Sequence, residues 1–549
     1  MLTLRRSLTE IVHLLVVVEV TLIYLYILDL FDRSYLILIG GVVWYRVYEL
    51  GFVARGLLLL VSLLLVALLV LYAYKGFGFE AGKAIRCALI VLSIVFFIPL
   101  VYWSLRMVGV RFCEYGLVRL FLSELDAWFF NLDLYLSLYP FILMAMLFSW
   151  LPLCIGSVFR VDLKVRVRVN HDVDSGDSRT NVLVVGLLLV LLLSVFMSVI
   201  PYLPTINPEF TPVSVDIRFY SMWVDEMLVR HPWRAVEYAF SGAGSGNRPL
   251  FLLFLYSLVK LGIPRELVLN FEPLFISPLF ALAVYFTAKR LFESSLLGLA
   301  ASLAATLGFN MTVGMMSGFF AAWAALALFY ACITLTSGSR VRSIVGSILV
   351  SVLLLFVHPW TWGVLMAVLM VYLSSSALRS HKLDKRVLCV LIANFMADII
   401  KTIFSPTSGG VESLTALARE EKAFGIRNVL VLASNLGTVS RTYVGGLFYN
   451  PIHLILSLVG LLTLLRKEDG LSKMVAIWVA VISLALPFAS VGLISHLLFA
   501  TPFPLLIAEG LRSTCRFLHK FGSVTPRLFQ TFFILSSMTY TVRGLCNLI

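Results

Sequence analysis

The sequence is dominated by unbroken apolar runs of about twenty residues, the clearest of which covers residues 181–200. A helix of this length crosses the hydrocarbon core of a bilayer, which is roughly 30 Å thick. The alternating segments of about ten residues that are typical of membrane β-barrels are not the pattern here. We therefore predict an all-α polytopic membrane protein with about 15 transmembrane helices.

The composition supports a membrane protein and excludes several other classes. Only 13% of the 549 residues are charged and 60% are hydrophobic, so a soluble chain of this kind could not cover its surface with polar groups. The net charge of +13 does not indicate nucleic-acid binding, because the Lys and Arg residues lie mostly in short connections between apolar runs. That distribution sets topology, and it predicts a multi-pass plasma-membrane protein with a cytoplasmic N-terminus.

A polar stretch from Arg160 to Arg179 divides the chain. We predict a transmembrane module of unassigned role at 1–159, a cytoplasmic linker at 160–180 and a main module at 181–549. The long connection 201–269 is predicted to be external, because alternate connections after it carry the basic residues. This assignment requires the short apolar run at 249–263 not to cross the membrane fully.

Three further expectations concern the external side. The segment 219–238 has apolar residues at roughly helical spacing and is predicted to lie along the membrane interface. The glycine-rich segment 241–246 is predicted to be flexible, and 308–318 to be a second external loop. The segment 405–441 is long for a connection. A lid or acceptor-binding loop and a plain surface helix with mixed charge both remain open for it.

Acidic residues follow the first span of the main module. Asp216, Asp225 and Glu226 lie within the first part of the 201–269 connection. Such carboxylates form ordinary ion pairs at an interface, or act as a general base near a substrate held in the membrane. Asp216 is the first candidate base, and Asp225 and Glu226 are the alternatives.

Short segments of the main module resemble the GT-C superfamily of membrane glycosyltransferases, which includes protein O-mannosyltransferases, lipid A aminoarabinose transferases and the catalytic subunits of oligosaccharyltransferase. Asn247-Arg248-Pro249-Leu250 occupies the place of that family's His-Pro-Pro-Leu motif, and Tyr285 to Phe292 is similar to its Tyr-x-x-Ala-Arg-Arg-Leu-Phe sequence. Asp216 stands where the family has a catalytic acid. His496, before Pro502, stands where the family has an arginine.

The resemblance covers about residues 181–510 and implies a function. The donor of such enzymes is a sugar on a polyprenyl phosphate, and the acceptor is a protein, lipid or glycan. Cationic side chains would neutralise the phosphate and stabilise the leaving group. The candidates for this binding role are Arg218, Arg248, His358, Lys401, Arg427, Arg441 and His496.

Two departures from the family limit what the resemblance implies. The segment 308–318 contains no acid, although many members have an aspartate in the second loop. No Asp-x-Asp pair marks a metal site, and no Trp-Trp-Asp motif appears. We therefore predict no cofactor. A divalent metal is compatible with the family, but the sequence offers no ligand motif for it.

Two membrane-embedded features have structural as well as functional explanations. Asp398 and Lys401 are three residues apart and would share a helix face, where they form either a structural ion pair or part of a site. His358 precedes Trp360 and Trp362, which are typical of an interfacial aromatic belt but would also suit binding of a sugar or lipid.

A glycosyltransferase is not the only function that such a chain could have. A multi-pass transporter or lipid flippase is the alternative, although such proteins typically show paired halves with broken helices, and no internal repeat is evident here. An inactive scaffold with the same fold is a third possibility. A base that faces a cavity would favour the enzyme, whereas an Asp216–Arg218 pair on a convex surface would weaken it.

Overall fold

The computed structural model describes residues 180–404 except 205, 381 and 382, residues 451–519 except 466 and 468, residues 525–548 except 547, and the single residues 428, 435 and 439. The predicted module at 1–159 and all but the last residue of the predicted linker lie outside the described residues. So do the candidate site residues Arg427 and Arg441 and most of 405–441.

The described part of the chain is 85% helical and contains no β-strand, which confirms the all-α prediction for these residues. The α-helices in chain order are α1 (Thr180–Val199), α2 (Ile217–Leu228), α3 (Pro232–Ser241), α4 (Pro249–Lys260), α5 (Arg265–Phe271), α6 (Pro273–Phe292), α7 (Ser295–Thr306), α8 (Phe309–Ser317), α9 (Phe320–Thr336), α10 (Val341–Val357), α11 (Pro359–Ser380), α12 (Lys385–Phe404), α13 (Pro451–Leu464), α14 (Gly470–Ala485), α15 (Val491–Phe499), α16 (Phe503–Leu518) and α17 (Thr525–Cys546).

Five of the described helical segments are long and apolar enough to cross a membrane, or six if the bent pair α15–α16 is one span. The five are Leu183–Tyr202, Arg265–Phe292, Ser295–Ser317, Pro359–Leu378 and Gly470–Phe488. This count does not confirm the predicted total of about 15. Helices α9 and α10 coincide with predicted spans but have only 17 residues each, and α12 carries Asp398, Lys401 and Arg386 within its length.

Several helices present a row of large apolar side chains to the outside of the molecule. On α1 these are Leu188, Leu192 and Phe196, each more than half exposed and spaced four residues apart. Helix α10 has a similar row at Val341, Val345, Leu349 and Leu353, also at four-residue spacing. Such wide apolar faces are unfavourable in water but suit contact with lipid tails.

The interior of the bundle is joined by small residues and by hydrogen bonds between helices. Helices α13 and α16 cross so closely that a Cβ on Gly460 would lie 1.8 Å from the carbonyl oxygen of Leu506. Across another contact, Trp362 Nε1 donates to Asn394 Oδ1 at 2.9 Å, and Asn394 Nδ2 donates to Ser351 Oγ at 2.7 Å. Close crossings at glycine and hydrogen bonds between helices are both typical of helices that pack in a membrane.

The connection between the first two candidate spans is itself helical. The segment predicted to lie along the interface forms α2 and α3, and the short apolar run forms α4, whose 12 residues are too few to cross a bilayer. Residues 243–246 form a 3₁₀ turn in which Gly244 and Gly246 have positive φ, and the predicted flexibility of 241–246 stays a prediction. The prediction of a loop at 308–318 is wrong, because 309–317 form α8 with buried apolar side chains.

Candidate functional site

Asp216 lies at the start of α2, in the N-cap position, and its side chain makes no capping hydrogen bond. Its backbone N–H donates to the carbonyl of Ser317 at 3.3 Å, and the Val215 N–H donates to Met316 at 3.0 Å. The start of α2 is therefore fixed against the end of α8. Gly318 completes this junction, because a Cβ there would lie 3.1 Å from Cβ of Asp216.

The Asp216 carboxylate is partly buried and forms no ion pair within the described part of the chain. In particular, it does not pair with Arg218, which is exposed and lies over the ring of Phe219. Burial raises the pKa of the Asp216 carboxyl above its usual value, while the positive charges of Arg248 and Arg218 act in the opposite direction. An unpaired carboxylate with a raised pKa has the properties of a general base.

Arg248 lies at the start of α4 and is the electrostatic centre of the candidate site. Its Nη1 donates to the hydroxyl of Tyr220 at 2.7 Å, and its guanidinium carbon lies 5.6 Å from the ring centroids of both Tyr220 and Trp223. Among the described residues no carboxylate forms a salt bridge with it. Its charge acts on Asp216, His358 and His496.

Two histidines line a small cavity between α9, α11 and α15. The rings of His358 and His496 are 6.0 Å apart, and the ring of His496 stacks on Phe319 at 4.2 Å. The rest of the cavity wall is mainly apolar, with residues such as Leu326 and Leu493. The cavity thus combines an apolar interior with two imidazoles.

The orientation of His358 is set by the first turn of α11. Nδ1 of His358 lies 2.9 Å from Oγ1 of Thr361 and 3.4 Å from its backbone nitrogen. A backbone N–H can only donate, so Nδ1 of the neutral ring is the acceptor and Nε2 carries the proton. A neutral His358 therefore carries its N–H donor on Nε2.

Lys401 is almost completely buried, with 2% of its surface exposed. Its Nζ donates to the carbonyl of Leu355 at 3.3 Å and lies 5.5 Å from the ring centroid of Phe356. Asp398, one turn earlier on α12, is also buried and acts on it electrostatically. The charge of Lys401 reaches His358, so this pair lies close to the cavity.

The two alternative acids are engaged in surface ion pairs. Asp225 binds Nη1 of Arg265 with both carboxylate oxygens at 2.5 Å, and Glu226 pairs with Arg230 one turn away. All four side chains are at least one-third exposed. These contacts match the ordinary interfacial ion pairs that the sequence left open. Of the three acids of α2 and its N-cap, only Asp216 forms no ion pair with another described residue.

Sequence reasoning assigned no role to Tyr220, Trp223 or Glu272, which surround the candidate site. Glu272 lies between α5 and α6 with 3% of its surface exposed, and neither carboxylate oxygen has a hydrogen-bond partner in the described region. Its charge acts on Tyr220. The spacing of Tyr220, one helical turn after Asp216, was a usable signal, whereas the contact with Arg248 joins residues 28 positions apart.

Within the described residues no group of three His, Cys, Asp or Glu side chains is placed to hold a metal ion. Two imidazoles line the apolar cavity, whereas Asp216 and Arg248 are not among its lining residues. The charge of Arg248 acts on both imidazoles and on the Asp216 carboxylate, and so connects these groups electrostatically. Such a set can accept a proton from a hydroxyl and bind an anion that is attached to an apolar group. No protein-family model matches the chain, and no curated protein shows significant sequence similarity to it.

Proposed function

We propose that this chain is a membrane glycosyltransferase that transfers a sugar from a polyprenyl-phosphate-linked donor to an acceptor at the external membrane face. The observation that carries the proposal is Arg248, a partly buried cation with no carboxylate partner among the described residues, whose charge reaches both Asp216 and the two cavity histidines. A phosphate that enters such a site would supply the missing negative charge.

Each part of the donor would meet a matching part of the site. The apolar wall of the cavity suits the first isoprene units, and Arg248 and the Nε2–H of His358 suit the phosphate oxygens. Asp216 would remove the proton from the acceptor hydroxyl as that oxygen bonds to the sugar carbon. The bond between this carbon and the phosphate oxygen breaks, and the electron pair leaves with the polyprenyl phosphate, stabilised by Arg248.

The proposed orientation places the candidate site outside and the N-terminus inside the plasma membrane. It is supported by the charge distribution along α6, whose first residues adjoin the site. At the far end of this helix, Lys467 Nζ lies 4.7 Å and the Arg512 guanidinium carbon 5.6 Å from the ring centroid of Phe292. Basic residues from α6, α16 and the segment after α13 thus gather at one end, as cytoplasmic ends do.

The test is transfer from defined donors by the full-length protein in reconstituted membranes. Undecaprenyl-phosphate and dolichyl-phosphate sugars, labelled in the sugar, are supplied to wild type and to Asp216→Asn, and donor consumption is followed. We expect consumption by wild type and a loss of roughly 10²–10⁴-fold in the variant. Glu237→Gln, which removes an exposed carboxylate that pairs with Arg234 on α3, is the matched control and should retain the wild-type rate.

A coupled transporter is the second candidate, and Glu272 is the observation that favours it. An acid buried within a candidate membrane span is a functional candidate by default, and this one lies at a break between two helices, as in many transporters. The two functions separate in one preparation. Ion- or proton-coupled flux that Glu272→Gln abolishes, without consumption of any polyprenyl-phosphate donor, would replace the glycosyltransferase by a transporter.

A further inference from the structure

Arg248 is held by aromatic side chains, and within the part of the chain that the structure describes it forms no ion pair with a carboxylate. From these contacts we propose that Tyr220, Trp223 and Gly244 are positioning residues. Together they form a clamp that fixes the Arg248 guanidinium for the anionic group of a lipid phosphate. The proposal rests on the proposed function only in taking this phosphate as the ligand of Arg248.

The first half of the clamp acts on the side chain of Arg248. Tyr220 is fully buried and accepts the 2.7 Å hydrogen bond from Nη1. Its ring meets Trp223 edge-on at 5.7 Å and Phe251, on α4, at 5.6 Å. The phenol is therefore locked by packing, and the guanidinium that it binds has few alternative orientations.

The second half of the clamp acts on the backbone that leads to Arg248. Gly244 has a φ of +52°, and a Cβ at this position would lie 2.9 Å from Cζ2 of Trp223. The 3₁₀ turn Ala243–Gly246 therefore runs directly over the indole ring. Only Asn247 separates the end of this turn from Arg248. The glycine-rich segment is thus explained by a close approach to Trp223 and by its positive φ.

The chemistry of the clamp matters for the strength of the site. A carboxylate would hold an arginine equally well but would neutralise it. A phenol oxygen and two aromatic faces attract the cation without adding a negative charge. The clamp itself therefore does not neutralise the charge that meets the ligand. Because the side chain is already ordered, little further entropy is lost when the ligand binds.

Binding of undecaprenyl phosphate to the full-length protein in phosphatidylcholine nanodiscs tests the clamp, with undecaprenol as the neutral probe. Tyr220→Phe keeps the ring but removes the acceptor, and we expect roughly tenfold weaker phosphate binding with unchanged undecaprenol binding. Gly244→Ala should weaken phosphate binding as well. Gly262→Ala is the matched control, because Gly262 also has a positive φ but no atom lies within 4 Å of its Cβ position.

A double-mutant cycle shows whether the phenol acts through the arginine. Arg248→Gln and the double variant Arg248→Gln/Tyr220→Phe should bind undecaprenyl phosphate equally weakly. A further loss in the double variant means that Tyr220 binds the ligand independently and overturns the clamp. Wild-type affinity in both Tyr220→Phe and Gly244→Ala also overturns it, while leaving the proposed function intact.

The clamp can also be judged without any ligand. If wild type does not distinguish undecaprenyl phosphate from undecaprenol, the proposed phosphate site fails, and a cryo-EM structure of Tyr220→Phe then decides on the clamp. Displacement of the Arg248 side chain from the Trp223 ring supports it. An Arg248 side chain in the same position in the variant overturns it.

Discussion

Charged side chains lie near both ends of α6 in an apolar environment. The two ends differ in whether these charges have ion-pair partners. Near Phe292, the fully buried Glu509 pairs with Arg512 and lies 3.9 Å from Lys467. Near the first turn of α6, roughly 30 Å away by helix rise, the Arg248 guanidinium and the Asp216 carboxylate each lack an ion-pair partner in the described part of the chain. Compensated charges serve structure, whereas uncompensated ones are expected where a ligand completes the site.

The largest expected effect is on stability, at the crossing of α13 and α16. This crossing lies near the Phe292 end of α6, which we call the compensated end because its charges are paired. Gly460→Ala would place Cβ 1.8 Å from the Leu506 carbonyl oxygen, so α13 and α16 must separate, at a cost of about 3 kcal/mol. Thermal unfolding in detergent would measure the loss. Gly346→Ala is the control, since its Cβ would meet only a Leu335 methyl group at 3.4 Å. Equal stability of the two variants would contradict the close crossing.

The next effect is on the affinity for undecaprenyl phosphate, which should depend on the arginine at one end of α6 and not on the arginine at the other. Arg248→Gln should weaken binding of undecaprenyl phosphate roughly 30-fold, because it removes a charge-assisted contact, and should leave the unfolding temperature unchanged. Arg512→Gln should do the reverse, because the guanidinium of Arg512 already has Glu509 as its partner. Loss of phosphate binding in both variants would show that the difference in compensation does not mark the ligand site.

A smaller effect is expected from the acid of the compensated end. Glu509→Gln removes the carboxylate that Lys467 and Arg512 share, and we expect a loss of about 1.5 kcal/mol in the free energy of unfolding. Both cations keep some exposure to solvent, 27% and 21% of their side chains, which limits the loss. Urea or thermal unfolding measures it, and donor consumption by the folded variant should match wild type.

The contrast between the two ends could be predicted from the sequence only in part. Apolar runs of about twenty residues indicate helices wherever they occur, and the basic cluster near Phe292 follows from charge distribution. The approach of Arg248 to Tyr220 depends on how α2 and α4 pack, and the role of Gly244 depends on the position of Trp223. Composition favoured flexibility for the 241–246 segment, because a glycine required by close packing has the same sequence signal as one in a mobile loop.

The smallest expected effect is on the pH dependence of donor consumption. Asp216 acts as a base in its ionised form, and burial raises the pKa of this carboxyl. Activity should therefore fall as the pH is lowered through the raised pKa, at a higher pH than for an exposed aspartate. Arg248 and Arg218 both oppose the rise. Arg218→Gln, a variant at an exposed position, should thus move the acid limb of the profile to still higher pH.

The stability of Asp216→Asn gives the same pKa shift an independent readout. A carboxyl whose pKa is higher in the folded than in the unfolded state stabilises the fold at low pH, and this contribution is lost as the pH rises through the folded-state pKa. The asparagine variant should therefore unfold no earlier than wild type at pH 7. Any advantage that it has should shrink as the pH is lowered and vanish only below the ordinary pKa of an unfolded aspartate, which is about 3.9. A variant that is less stable at pH 7 would indicate that the Asp216 carboxylate is compensated, like that of Glu509, and would remove the difference between the two ends of α6.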